Sequence, residues 1–147
     1  MAATPALRTR NLTKVYRSGD VEVHALRGVS LELFPADLVV LLGPSGSGKS
    51  TLLNILGGLD SASGGEAWFQ DLQLTGLDDR GLTEYRRNHV GFVFQFYNLM
   101  PVLTAQKNVE LPLLLTKLSA AQRKRNAGIA LELVGLEGFT GHLPAEL

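Results

Sequence analysis

The octapeptide Gly43-Pro44-Ser45-Gly46-Ser47-Gly48-Lys49-Ser50 stands between an unbroken apolar run, residues 38–42, and a leucine-rich stretch that begins at Lys49. It satisfies the G-x-x-x-x-G-K-[ST] pattern, which joins a buried strand to a helix through a loop built to hold phosphate. No other feature limits the fold as much. Five consecutive apolar residues suit a strand covered on both faces, as in a parallel sheet. Downstream, Leu52, Leu53, Ile55 and Leu56 surround a helix from about Lys49 to Gly57, which predicts a buried helix stopped by Gly57-Gly58.

A polyphosphate needs many hydrogen-bond donors and a backbone that approaches closely. Glycines at 43, 46 and 48 allow the chain to wrap an anion with N–H groups of residues such as Ser45, Gly46 and Ser47 turned inward. The helix N-terminus adds unpaired N–H groups and the positive end of its dipole. Lys49 supplies a compact charge for the β- and γ-phosphates, Ser50 a hydroxyl for Mg²⁺ and Thr51 a further donor. The expected ligand is therefore a nucleoside triphosphate with Mg²⁺. A Gly/Ser-rich connector with no ligand is the plainer alternative, and the complete motif with both flanking elements argues against it.

The other segments predict an α/β chain. Residues 7–16 and 21–34 alternate polar and apolar side chains around Ser18-Gly19-Asp20 and read as an antiparallel hairpin. Gly64-Gly65 precedes a short strand over residues 66–69, and Asp78 or Asp79 caps a helix to about Asn88 with Leu82, Tyr85 and His89 on one face. Residues 90–94 read as a second buried strand. Thr104 caps a helix bent near Pro112. Ser119 and Gln122 form a capping box for a last helix that buries Ala127, Ala130, Leu131 and Val134 and ends at Gly135.

Composition narrows the function. With 14 Lys plus Arg against 14 Asp plus Glu, no overall basic field draws the chain to nucleic acid or anionic lipid. Arg86-Arg87 and Arg123-Lys124-Arg125 read as solvated helix faces. Cysteine is absent, which removes disulfides, thiol nucleophiles and Cys-based metal sites and fits a reducing cytoplasm. His24, His89 and His142 lie apart, so no metal beyond Mg²⁺ is expected. The apolar runs are far shorter than the roughly 20 residues that span a bilayer, so a membrane role requires a partner.

The wider neighbourhood of the loop supplies a resemblance. Residues 41–54 resemble the Walker A region of ABC transporter ATPases, and Gly91-Phe92-Val93-Phe94-Gln95-Phe96-Tyr97-Asn98-Leu99-Met100-Pro101 resembles their Q-loop. With Leu103-Thr104-Ala105 and Asn108-Val109-Glu110-Leu111-Pro112-Leu113, the pattern is similar to the lipoprotein-releasing and macrolide-exporter-type subgroup. The resemblance runs from about Leu7 to Leu147. It implies one nucleotide-binding domain over 1–147, incomplete at its end, with a β-subdomain and P-loop over about 5–94 and a Q-loop and helical subdomain over about 95–147.

The same resemblance implies ATP as the nucleotide and Tyr16 as the aromatic that stacks on adenine. It gives Lys49 and Gln95 catalytic roles, with Gln95 and Ser50 near Mg²⁺. It also implies two partners, a second ATP-binding subunit arranged head to tail and a membrane permease met through the Q-loop region, and a peripheral location on the cytoplasmic face of the membrane. The signature, the Asp-Glu strand end and the switch histidine of the family are not in these 147 residues. The chain alone is therefore expected to bind nucleotide without turnover, and a non-catalytic, permease-binding piece is the alternative. Three departures from the family stand out: Ala36-Asp37 for a Gly-Glu turn, Gln70-Asp71 for an Asp-Gly turn, and Lys107 for a Glu near the Thr104 cap.

Overall fold

The computed structural model describes residues 4–94 and 96–147, which fall into two compact units divided between Phe92 and Val93. In the first unit, β1 (Leu7–Ser18) and β2 (Val21–Leu33) form the expected antiparallel hairpin, closed by Gly19 and Asp20 with Gly19 at φ 58°. β3 (Gly64–Phe69) pairs antiparallel with the other side of β1, and the short β4 (Leu72–Gln73) pairs with β3, giving the order β2-β1-β3-β4. The β1–β2 ladder slips three times. At one slip Asn11 takes φ 47°; at another Ala25 is the extra residue between His24, opposite Val15, and Leu26, opposite Lys14. Gly65 has no room for a side chain, since a Cβ there would lie 2.2 Å from the Asn11 carbonyl oxygen.

Helix α1 (Lys49–Leu56) lies against this layer and buries Leu52, Ile55 and Leu56 with Leu12, Leu26, Ala67, Leu74 and Tyr85. The three α1 residues share one face at i, i+3, i+4 spacing, which leaves Leu53 more than half exposed instead of buried. Its end follows the Schellman pattern: Gly58 N–H donates to Ile55 O at 3.0 Å and Leu59 N–H to Asn54 O at 2.7 Å, with Gly58 at φ 69°. Helix α2 (Asp79–His89) is capped by Asp78, whose carboxylate accepts from Gly81 N–H at 2.8 Å. Its Tyr85 reaches back to donate to Leu56 O at 2.8 Å, and Arg86, expected to be solvated, donates to Gly58 O and Thr83 Oγ1. These bonds fasten α2 to the end of α1.

The two runs expected as buried parallel strands are not strands. Leu38 and Leu42 are 94% and 88% exposed, and Val93 is fully exposed, while Leu41 and Val90 rest on the core. A strand exists only where a neighbour completes its ladder of hydrogen bonds. Among the described residues, neither segment is one of the four strands of the sheet.

In the second unit, Thr104 caps α3 (Ala105–Glu110), and the chain continues as a 3₁₀ turn, Leu111–Leu115, at Pro112. Lys107 does not prevent this helix, because its ammonium pairs with Glu110 at 2.9 Å. Ser119 and Gln122 complete the capping box of α4 (Ala120–Leu133), which buries Ala127 and Leu131, whereas Ala130 and Val134 are exposed. Gly135 ends it at φ 73°. Asn108 is buried and acts as a clamp. Its Oδ1 accepts from Met100 N–H at 2.7 Å, and its amide donates to the carbonyls of Met100, Leu103 and Thr104.

One departure noted in the sequence has a structural cost. Residues 34–37 form a type II turn, with Asp37 N–H donating to Phe34 O at 3.3 Å, Pro35 at the first corner and Ala36 at φ 67° at the second. That corner favours glycine, and a Cβ there carries strain of roughly 1–2 kcal/mol. Ala36→Gly relieves the strain but adds freedom to the unfolded chain, so a net gain of about 0.5–1 kcal/mol is expected. Urea titration followed by far-ultraviolet circular dichroism measures it, and a loss of stability would show that this turn is not what limits the region.

Candidate functional site

The glycine-rich loop has the backbone of an anion cradle. Gly43, Gly46 and Gly48 all take positive φ, at 155°, 79° and 91°. Gly48 is fixed by its surroundings as well as by its torsion: a Cβ there would lie 2.4 Å from the carbonyl oxygen of Ala25, the extra residue of β2. The loop therefore lies directly on the β-layer. Within the loop, Ser47 N–H donates to Pro44 O at 3.3 Å, and the helix ladder begins with Leu52 N–H to Gly48 O at 2.9 Å.

Among the described residues, the N–H groups of Gly46, Gly48, Lys49, Ser50 and Thr51 have no acceptor, and α1 has no side-chain cap. Unpaired donors grouped at the positive end of a helix are suited to a multiply charged anion. The Lys49 ammonium folds back over the loop, donating to Gly43 O and Pro44 O at 2.8 Å each and to Ser47 Oγ at 3.2 Å. It thus joins the first and last parts of the loop and places one positive charge on it. Ser45 and Ser50 are exposed, Thr51 is half-buried and Ser50 lies in the first turn of the helix, so its hydroxyl is available to a cation. The donor set fits a Mg-bound polyphosphate.

Tyr16 lies on β1 opposite Val23, two residues from Ala25, which places its Cα roughly 8 Å from the residue that supports Gly48. The residue is 42% exposed. Two residues not singled out from the sequence hold it. The Tyr16 hydroxyl donates to Asp60 Oδ2 at 2.7 Å, and the Lys14 ammonium stands 4.9 Å from the ring centroid while pairing with Asp60 Oδ1 at 2.6 Å. Lys14 also donates to Ser61 O at 2.6 Å. The available signal was the i, i+2 spacing of Lys14 and Tyr16 on one strand face; nothing local to residue 60 linked it to them. Gln95 lies outside the described residues.

On the second unit, Phe96, Tyr97, Leu99, Met100 and Val102 present an exposed apolar surface, with Tyr97 and Asn98 at φ 54° and 51°. The Asn108 clamp described above holds Met100 at its end. Among the described residues no group of three acidic, histidine or cysteine side chains is placed to hold a metal, and no helix is long and apolar enough to cross a membrane.

Residues 26–146 match the family described as ABC transporter. An uncharacterized ABC transporter ATP-binding protein of Thermotoga maritima is 49% identical over 134 residues, covering 91% of this chain and 57% of that protein. The lipoprotein-releasing system ATP-binding protein LolD of Saccharophagus degradans is 41% identical over 145 residues, covering 99% of this chain and 64% of LolD. The solved ATP-binding cassette MJ0796 of Methanocaldococcus jannaschii, a dimer bound to ADP and Pi, matches with a TM-score of 0.85 at 42% identity, over 96% of this chain and 62% of that one. The chain thus spans 57% to 64% of the length of these relatives.

Asp60 gives the region an acid-sensitive element. Burial works to raise its pKa, but hydrogen bonds from Lys14, Tyr16 and the Ser61 N–H, together with the Lys14 charge, hold it below the ordinary carboxylate value. A carboxyl with a lowered folded pKa stabilises fully above its unfolded value, about 3.9, and loses that contribution as pH falls through the folded value. Urea midpoints should therefore fall more steeply for the native chain than for Asp60→Asn as pH is taken from about 5 to 2. Parallel acid limbs would mean that the Lys14–Asp60 pair carries no linked stability.

Proposed function

Because this chain belongs to the ABC transporter family, we propose that it forms the ATP-binding part of a transporter, holding Mg-ATP through residues 43–51. The observation that carries the reading is the set of N–H groups at the start of α1 that have no acceptor among the described residues, together with the Lys49 ammonium bound to the loop carbonyls. In the assembled protein, that site hydrolyses ATP to drive a membrane permease of export or lipoprotein-release type.

Each residue has a distinct task. Gly43, Ser45, Gly46, Ser47 and Gly48 supply the backbone cradle, and Lys49 leaves the loop carbonyls for the β- and γ-phosphates. Thr51 adds a donor. Ser50 and Gln95 would hold Mg²⁺, which would supply neutralisation of phosphate charge. Gln95 also orients the attacking water and, as the end of residues 90–95, relays the state of the site to the permease. Tyr16 offers an aromatic face to adenine.

Two partners belong to this reading, and the exposed apolar surface of the second unit supports the first. The apolar residues from Phe96 to Val102 meet a short helix of the permease, with the Asn108 clamp keeping that surface in shape. A second ATP-binding subunit packs head to tail and contributes the signature loop. The 147 residues bind nucleotide without turning it over, since no acid stands here at the end of an apolar strand to position metal and water. The location is the cytoplasmic face of the membrane, reached through the permease.

Replacing Lys49 tests the site. Lys49→Ala removes a charge-assisted contact of about 1.5–3 kcal/mol, so Mg-ATP should bind roughly 10- to 100-fold more weakly by calorimetry. Equal affinities would take Lys49 out of the site. Release of phosphate by the wild-type 147-residue chain, lost in Lys49→Ala, would overturn the absence of turnover.

A further inference from the structure

We propose that Lys14 and Asp60 are positioning residues for nucleotide recognition, fixing the Tyr16 ring in one orientation so that its free face meets the base. The inference rests on the functional reading above and adds two residues to it. Three observations converge on the same ring. Its hydroxyl is tied to Asp60 Oδ2 at 2.7 Å, and its inner side is covered by the Lys14 ammonium at 4.9 Å from the centroid. Lys14 is itself fixed, more than nine-tenths buried and bound to both Asp60 Oδ1 and Ser61 O at 2.6 Å. With one face and the hydroxyl committed, the remaining face is the part of the ring left for a ligand.

The anchor is also rigid. Asp60 N–H donates to Asn54 O at 3.2 Å and Leu59 N–H to the same carbonyl at 2.7 Å, so Asp60 is held by the terminal turn of α1. The first residues of that helix are the loop proposed to bind phosphate, and its eight residues span about 12 Å. One short helix thereby fixes a phosphate cradle at its start and an aromatic platform at its end. An exposed tyrosine free to rotate would lose side-chain entropy on stacking; a ring already held loses less. The two residues therefore act on the base and not on the phosphates.

Comparing Mg-ATP with Mg-tripolyphosphate on the full 147-residue chain separates the two parts of the ligand, because tripolyphosphate has no base to stack. The ratio of the two dissociation constants reports the base. In wild type ATP should bind more tightly, and Tyr16→Ala should remove most of that advantage. Tyr16→Phe keeps the ring and leaves the Lys14–Asp60 pair intact, so it tests the hydroxyl anchor without disturbing the fold. Tyr16→Phe and Asp60→Ala should each reduce the ratio about fivefold, the worth of one hydrogen bond near 1 kcal/mol. Asp60→Asn, which still accepts from the hydroxyl, should keep most of it. Tripolyphosphate affinity should change less than about twofold in all of them.

An unchanged ratio in both Tyr16→Phe and Asp60→Ala overturns the inference, as does an equal loss for both ligands, which would mark a merely structural role. If Tyr16→Ala also leaves the ratio unchanged, the base does not meet this ring, and the phosphate site stands without it. Failure of wild type to bind either ligand removes the functional reading itself.

Discussion

The contact between Gly48 and the Ala25 carbonyl is the constraint on which the first unit depends. It lets the glycine-rich loop touch a strand backbone with nothing between them, and it needs both a residue without a Cβ and a strand that pushes a carbonyl out of its ladder. Gly48 satisfies the first requirement, and the slip between Lys14–Leu26 and Val15–His24 satisfies the second. Helix α1 then starts where its free N–H groups face outward beside the sheet, and Leu52, Ile55 and Leu56 have no choice but to turn onto Leu12 and Leu26. The chemistry of the loop and the packing of the core share one point of attachment.

The far end of α1 is fastened as firmly as its start. Gly58 and Leu59 close the helix, Tyr85 and Arg86 of α2 take the carbonyls left there, and Asp60 leaves the turn already aimed at Lys14 and Tyr16. Polar bonds of this kind in a half-buried setting contribute about 1 kcal/mol each, and their larger effect is to exclude other arrangements of the same apolar surface. In the second unit Asn108 does comparable work: one buried amide satisfies four backbone groups of the chain ahead of it, giving an apolar surface a fixed form without burying it.

Local features were legible wherever their cause was local. The hairpin about Gly19, the Asp78, Thr104 and Ser119 caps, the Gly57-Gly58 stop and the positive-φ glycines of the loop each follow from a residue and its immediate neighbours. The failures share a different cause. Residues 38–42 carry the hydrophobicity of a buried strand, but hydrophobicity states only that a segment should be covered and does not say by what; among the described residues they are not one of the strands of the sheet. The apolar character of Leu53, Ala130 and Val134 misleads for the same reason, and the charge of Arg86 points to solvent because a single sequence cannot show a carbonyl 28 residues away.

The sequence by itself determined the phosphate-binding loop, its helix and the family, because the motif is contiguous and its glycines, lysine and serine have backbone and charge requirements that hold in any surroundings. Only the tertiary structure decided that Ala25 supports the loop, that Asp60 and Lys14 hold Tyr16, and which face of each helix is covered. Those contacts join residues 44 to 46 positions apart for Tyr16 and Lys14 with Asp60, and their partners are selected by strand register and helix termination together. A one-residue slip of register would reverse the side of the sheet on which Lys14 and Tyr16 stand, and no periodicity within either segment alone encodes that choice.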